Sequence, residues 1–282
     1  MVTAKTINLG IIGDPVEHSF SPRMHNFISE QMGVDYIYTA FEVSPKNLSG
    51  AIDGMRALGI RGINVTAPHK IEVMKYLDEI SSQARILGSV NTVVNRDGRL
   101  CGYNTDADGF YAALENAKIT VRGSRILVIG AGGVVAPTVI RLAQAQPKDI
   151  TIINRTSSKA VAVADAVFKA TGIKPSVETD GDYDIVINTT SAGMEPQLDA
   201  LPTDAIPQVR DLEFIHSGMA IVDMIYNPAR TRFLKIAQER GARTLNGLDM
   251  LIYQGIIAYE LFTDIKLPTN MAEKIRKEVF GV

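Results

Sequence analysis

The sequence predicts an α/β protein of two α/β domains: an N-terminal domain around a mostly parallel sheet, and a C-terminal Rossmann-type dinucleotide-binding domain. Three observations carry this expectation. Strand-like apolar runs alternate with amphipathic helical stretches along the chain, the pattern of parallel sheets with helices on their faces. A glycine-rich turn, Gly130–Gly133, lies between a short apolar strand and a helix. The chain has 282 residues, 46% of them hydrophobic, which suffices for more than one core.

In the first half, strands are expected at Ile7–Gly13, Tyr36–Val43 and Ile63–Ala67, each bounded by turn residues. Ser21-Pro22 and Ser44-Pro45 each read as an N-cap followed by a proline in the first helical turn. The helices they open end near Gly33 and Gly59. Leu48, Ile52, Met55 and Leu58 recur on one helical face. The stretch Val90–Asn104 reads as a hairpin turning at Asp97-Gly98, a pair that tolerates left-handed backbone.

A second α/β series begins near Asp108. Strands are expected at Arg125–Gly130, Ile150–Arg155, Asp184–Thr190 and Ala220–Tyr226, with a helix opened by the glycines and another at Ser158–Thr171. Helices at Leu248–Thr263 and Met271–Phe280 close the chain.

Composition excludes several classes. A net charge of -2 provides no basic face, so nucleic acid is not an expected partner. The uncharged stretch Ile126–Ile140 is interrupted by glycines and a proline and is shorter than the ~20 residues of a membrane span. The first residues lack a charged segment followed by an apolar one, since Asp14 arrives early. One cysteine, Cys101, excludes an internal disulfide and fits a reducing compartment, so a cytoplasmic protein is expected. The histidines lack metal-ligand spacing, and no metal is expected. The oligomeric state is left open, with a homodimer among the options.

The turn Gly130, Ala131, Gly132, Gly133, Val134 is a variant of the dinucleotide fingerprint, in which glycines let a pyrophosphate approach the free N–H groups of a helix N-terminus. The last fingerprint position is Val135, larger than usual. A cofactor with a free ribose 2′-hydroxyl calls for an acid at the end of the next strand. The chain has Asn154, Arg155, Thr156 and Lys159 there instead. A guanidinium and an ammonium suit a 2′-phosphate, which points to NADP, with NAD as a weaker substitute.

Three stretches of the first half are unusually polar for strand ends: His18–Pro22, Asn64–Lys70, and Val90–Thr92 with Tyr103–Gly109. Buried polar groups cost free energy unless paired, and open α/β sheets bind ligands beyond the carboxyl ends of their strands. Ser19, Ser21, Asn64, Thr66, Lys70, Asn91, Asp106 and Gln254 are therefore expected to line a pocket suited to a hydroxylated ligand. Taken singly each has a plainer role: Ser21 as a helix cap, Asn91 and Asn104 as turn formers, His18, His25 and His69 as surface or helix residues. Lys70 is the one ammonium of the set and Asp106 its natural partner. A different class of function is also legible: Asn104, Asp106, Asp108, Gly109 and Glu115 occupy positions 1, 3, 5, 6 and 12 of a calcium-binding EF-hand loop spanning residues 104–115.

The motifs HSFSPRMHN, NVTAPHK, SVNT, GYNTDADG, GAGG, NRTSSK, YNPARTRFL and GLDMLIYQG, in this order, resemble those of the shikimate dehydrogenases. The resemblance implies a substrate domain of residues 1–107 plus 245–282, an NADP-binding domain of residues 108–244, and the nicotinamide in the cleft between them. It implies that Ser19, Ser21 and Tyr226 hold the substrate carboxylate, and that Asn64, Thr66, Asn91, Asp106 and Gln254 bind ring hydroxyls. Lys70 and Asp106 would handle the proton, while Met224 and Gly247 would join the cofactor contacts. The implied substrates are shikimate and 3-dehydroshikimate, in the route to chorismate and the aromatic amino acids. YTAFEV and GAIDGMRALGIRG also resemble the quinate or dual quinate/shikimate branch.

Overall fold

A computed structural model describes residues 2–282 apart from Asp180, Pro207, Gln208, Arg210 and Asp211. The chain divides into two compact units, residues 1–109 with 252–282, and residues 110–251.

In the first unit, β1 (Ile7–Gly13), β2 (Tyr36–Glu42), β3 (Gly62–Val65), β4 (Glu79–Ile80), β5 (Thr92–Arg96) and β6 (Arg99–Tyr103) form a sheet of order β2-β1-β3-β5-β6-β4. β1 pairs in parallel with β2 and β3, whereas β5 is antiparallel to both β3 and β6. The β5–β6 hairpin turns at Asp97 and Gly98, both with positive φ (53° and 89°), as the Asp-Gly pair requires. Helices α1 (Ser21–Met32), α2 (Leu48–Ala57) and the short α3 (Ser82–Leu87) accompany this sheet. Gly33 closes α1 in the left-handed conformation, φ 65°. Leu48, Ile52 and Met55 of α2 are buried with Ile63, Val65, Val93 and Leu100 in one core cluster.

α4 (Asp106–Asn116) leads into the second unit. There β7 (Arg125–Ile129), β8 (Asp149–Ile153), β9 (Ile185–Asn188), β10 (Ala220–Asp223) and β11 (Arg243–Leu245) form a sheet of order β11-β10-β9-β7-β8, every pair parallel. The strand order reverses between β7 and β9, the place where open parallel sheets bind ligands. α5 (Val135–Gln144) follows β7, α6 (Ser157–Thr171) follows β8, and α7 (Arg232–Glu239) follows β10. The chain ends with α8 (Leu248–Thr263) and α9 (Met271–Ile275), the last continuing as a π-turn to Phe280. Among the described residues no helix is long and apolar enough to cross a membrane.

Several local expectations are corrected. Ser21 is not the cap of α1: Phe20 holds that position, and the Ser21 N–H is taken instead by the Ser19 hydroxyl at 3.2 Å. Leu58 is the C-cap of α2 and is 75% exposed, so the buried face of the helix ends at Met55. His69 is buried, its Nε2 within 2.6 Å of the Val43 carbonyl. His25 belongs to α1 but is fully buried, stacked on Tyr38 with ring centroids 4.2 Å apart and planes 7° apart.

Neither ring nitrogen of His25 has a hydrogen-bond partner among the described residues, and burial lowers its pKa from 6.5 to about 3. The neutral ring is therefore the form that the fold accepts. Below pH 6.5 the unfolded chain takes up a proton that the folded chain refuses until about pH 3. Stability should fall across that window by up to ~1.4 kcal/mol per pH unit on this account alone. His25→Phe keeps the stack and removes the titration. In denaturant melts it should gain on the parent by about that slope as pH drops from 6 to 4. Parallel pH profiles for the two proteins would contradict the assignment.

Candidate functional site

The register of the first sheet gathers its polar residues at one edge. β1 and β3 run parallel, Ile12 opposite Val65, so the segments that follow them leave on the same side. Asn64 is opposite Thr92 at the start of antiparallel β5, and Thr92 is opposite Tyr103 at the end of β6. The ends of β1, β3 and β6 and the start of β5 thus coincide. Onto this edge the chain places Ser19 and Ser21, Asn64 and Thr66, Asn91, and Asp106 at the first turn of α4.

The buried amides there are paired with one another. The Asn64 Nδ2 donates to the Asn91 carbonyl at 3.2 Å and to the Thr92 hydroxyl at 3.1 Å. The Asn91 Oδ1 accepts from the Thr105 N–H at 2.7 Å, while its Nδ2 donates to the Thr105 hydroxyl at 3.0 Å. Asn64, Asn91, Thr92 and Thr105 are all buried. The backbone stitches the lysine-bearing turn to this network: Val65 N–H donates to the Asn91 carbonyl and Val90 N–H to the Lys70 carbonyl, each at 2.8 Å.

Lys70 lies five residues past the end of β3, in the turn that follows, and its Nζ donates to the Asp106 carboxylate at 2.6 Å. The two side chains are 25% and 18% exposed. The N-terminus of α4 favours the negative charge of Asp106. Gly109, in the next turn of α4, lets α8 come close: a Cβ there would lie 2.5 Å from the Gln254 N. That approach sets Gln254, which is buried, beside the helix that Asp106 begins. Thr66 is half-buried and its N–H is held by the Ile12 carbonyl at 2.9 Å.

This geometry overturns the calcium reading. Asp106, Asp108 and Glu115 belong to α4, so their carboxylates follow a helical path and cannot wrap an ion as a loop does. Asp106 is taken by Lys70, and the Asn104 Nδ2 donates to the Ser89 hydroxyl at 2.8 Å. Among the described residues no group of three or more His, Cys, Asp or Glu is arranged to hold a metal.

In the second unit, a cavity of about 650 Å³ opens at the strand-order reversal. Its wall includes Gly130, Ala131 and Gly132 after β7, Asn154, Arg155, Thr156 and Lys159 after β8, and Thr189–Ala192 after β9. Gly130 has φ 121°, and a Cβ on it would run into the Thr189 hydroxyl. A Cβ on Gly132 or Gly133 would meet nothing. The turn therefore leaves room in front of the α5 N-terminus, as a phosphate requires. Arg155 and Lys159 are exposed and have no ion-pair partner among the described residues, so both cations are available to an anion. These residues fit a dinucleotide with an additional phosphate.

The cavity wall does not include Gly133, Val134, Met224 or Gly247. Gly247 packs so closely on the Met224 carbonyl that any side chain would collide with it. Met224 and Tyr226 follow β10, in the second unit, and burial raises the Tyr226 hydroxyl above its ordinary pKa. The turn that carries them is anchored by Asp223, fully buried, which accepts from Asn188 Nδ2 at 3.0 Å, Ile225 N–H at 3.0 Å and the Thr231 hydroxyl at 2.7 Å. Burial raises the Asp223 pKa against the pull of these donors.

Sequence reasoning missed some of these residues. Thr189–Ala192 follow a parallel strand with small polar side chains, a signal of the same kind as the others. Thr92 and Thr105 lie within SVNT and GYNTDADG, where nothing local signals that their hydroxyls join the buried amides. Tyr38 gave no signal, since a strand position does not reveal what its hydroxyl reaches.

Family models match most of the chain. Residues 11–93 match the shikimate dehydrogenase substrate binding domain, residues 112–212 the shikimate / quinate 5-dehydrogenase domain, and residues 247–280 the shikimate 5′-dehydrogenase C-terminal domain. The chain belongs to the shikimate dehydrogenase family. It is 44% identical to the NADP(+) shikimate dehydrogenase of Methanocaldococcus jannaschii, over 94% of each chain. It is 46% identical to that of Geobacillus kaustophilus, over 90% of this chain and 91% of the other. A crystal structure of a shikimate dehydrogenase in complex with NADP+ superposes with a TM-score of 0.89 at 42% identity, covering 97% of this chain and 96% of that one.

The two kinds of glycine in this family turn can be separated experimentally. Gly130→Ala should lower the melting temperature by several degrees, because φ 121° and the Thr189 contact together store ~1–3 kcal/mol of strain in any side chain. Gly132→Ala should keep the parental melting temperature yet weaken nucleotide binding in calorimetry at least tenfold. Equal nucleotide affinity in Gly132→Ala and parent would show that the open space does not serve the ligand.

Proposed function

We propose that this chain catalyses the reversible, NADP-dependent reduction of 3-dehydroshikimate to shikimate. The single observation that carries the chemistry is the Lys70–Asp106 pair, 2.6 Å long and partly shielded from water, at the edge of a buried amide–hydroxyl network. The relatives named above are NADP(+) shikimate dehydrogenases, so quinate is not favoured as the substrate.

Bound NADPH supplies the hydride, and the residues of the chain do the rest. Gly130–Gly132 and the α5 N-terminus would receive the pyrophosphate, and Arg155, Thr156 and Lys159 the 2′-phosphate. Lys70 Nζ donates a proton to the oxygen of the carbonyl being reduced, and recovers it in the reverse direction. Asp106 keeps that ammonium in place and accepts a hydrogen bond from a ring hydroxyl. Asn64, Thr66, Asn91 and Gln254 take the other hydroxyls. Ser19 and Ser21 take the carboxylate; fixed neutral donors can hold an anion where water is excluded. The partners in this reading are small molecules. A cytoplasmic setting is part of the proposal, supported by a lone cysteine that is buried.

Lys70→Met keeps the length of the side chain and removes the proton. It should fold normally, retain binding of NADP, and lose kcat by roughly 10²–10⁴-fold. Parental kcat in Lys70→Met would refute the role.

A further inference from the structure

Tyr38 is 2% exposed and lies on β2, yet its hydroxyl reaches a residue proposed above for the substrate. It donates to Asn64 Oδ1 at 2.8 Å. Asn64 sits on β3, so one phenol oxygen ties β2 to β3.

The tyrosine itself is held firmly. Its backbone N–H donates to Asn26 Oδ1 at 2.8 Å, and its carbonyl accepts from Asn26 Nδ2 at 2.9 Å, a closed pair of bonds between β2 and α1. Its ring stacks on His25 of the same helix at 4.2 Å. These constraints fix where the hydroxyl points.

The consequence concerns the amide of Asn64. A tyrosine hydroxyl has one proton to give. Given to Oδ1, it forces Nδ2 toward the Asn91 carbonyl and the Thr92 hydroxyl, where both bonds are made. Without that donor the amide could rotate, leaving Oδ1 buried and unpaired or Nδ2 facing the wrong partners. We propose that Tyr38 is a positioning residue of the substrate site, which fixes the amide orientation of Asn64. The proposal rests on the reading that Asn64 binds substrate.

Kinetics of Tyr38→Phe, Asn64→Ala and the double variant test it. Tyr38→Phe keeps the stack on His25 and loses only the hydroxyl. It should raise KM for shikimate about tenfold, the scale of an orphaned buried acceptor. NADP affinity should be unchanged and kcat altered less than about threefold. In the Asn64→Ala background the same substitution should change KM less than about twofold, because Tyr38 acts through Asn64. A parental KM in Tyr38→Phe beside a raised KM in Asn64→Ala would overturn the proposal. So would an equal effect of Tyr38→Phe in both backgrounds, or loss of thermal stability with KM intact, which would mark Tyr38 as merely structural. A parental KM in Asn64→Ala itself would overturn the site reading instead.

Discussion

The first unit depends on how four buried side chains, Asn64, Asn91, Thr92 and Thr105, satisfy each other where strands of both directions end together. An amide buried without partners costs ~1–3 kcal/mol, so polar residues at this depth survive only as a connected set. The set also does geometric work. Asn91 holds the Thr105 N–H at 2.7 Å, which fixes the segment leading into α4. The Asn91 carbonyl and Val90 N–H bind the two sides of the turn that carries Lys70. Lys70 and Asp106 are 36 positions apart in sequence and meet at 2.6 Å because this network fixes both of their backbones.

The second unit solves a different problem with a simpler device. Its strands are parallel throughout and its order reverses once, so the segments after β7, β8 and β9 surround one cavity. The glycines make the floor of that cavity in two distinct ways. Gly130 is required by the backbone and by Thr189, whereas Gly132 leaves space that no protein atom fills. Arg155 and Lys159 line the same cavity, where a free ribose hydroxyl would call for an acid.

What the sequence showed, and what it hid, follows from the range of each interaction. Local chemistry was legible: Gly33 ends α1, Asp97 and Gly98 take positive φ in the hairpin, and the glycine turn links β7 to α5. The gathering of Asn64, Asn91 and Asp106 was legible as well, because strand ends in an α/β sheet share an edge. Partner choice was not. Ser21 fits a capping pattern, but Phe20 holds the cap position and the Ser21 N–H goes to Ser19. The EF-hand spacing matched residue types and failed on conformation, since α4 already begins at Asp106. His25 lies in the expected helix, but nothing local reveals that it would be buried against Tyr38.

The central claim is that Lys70 and Asp106 handle the proton as one unit. A double-mutant cycle on kcat with Lys70→Met and Asp106→Asn measures this directly. The account predicts large losses in each single variant and a double variant little worse than the weaker of the two, because the second change removes a partner that has already lost its role. Losses that multiply in the double variant would show that the two residues act independently, and would contradict it.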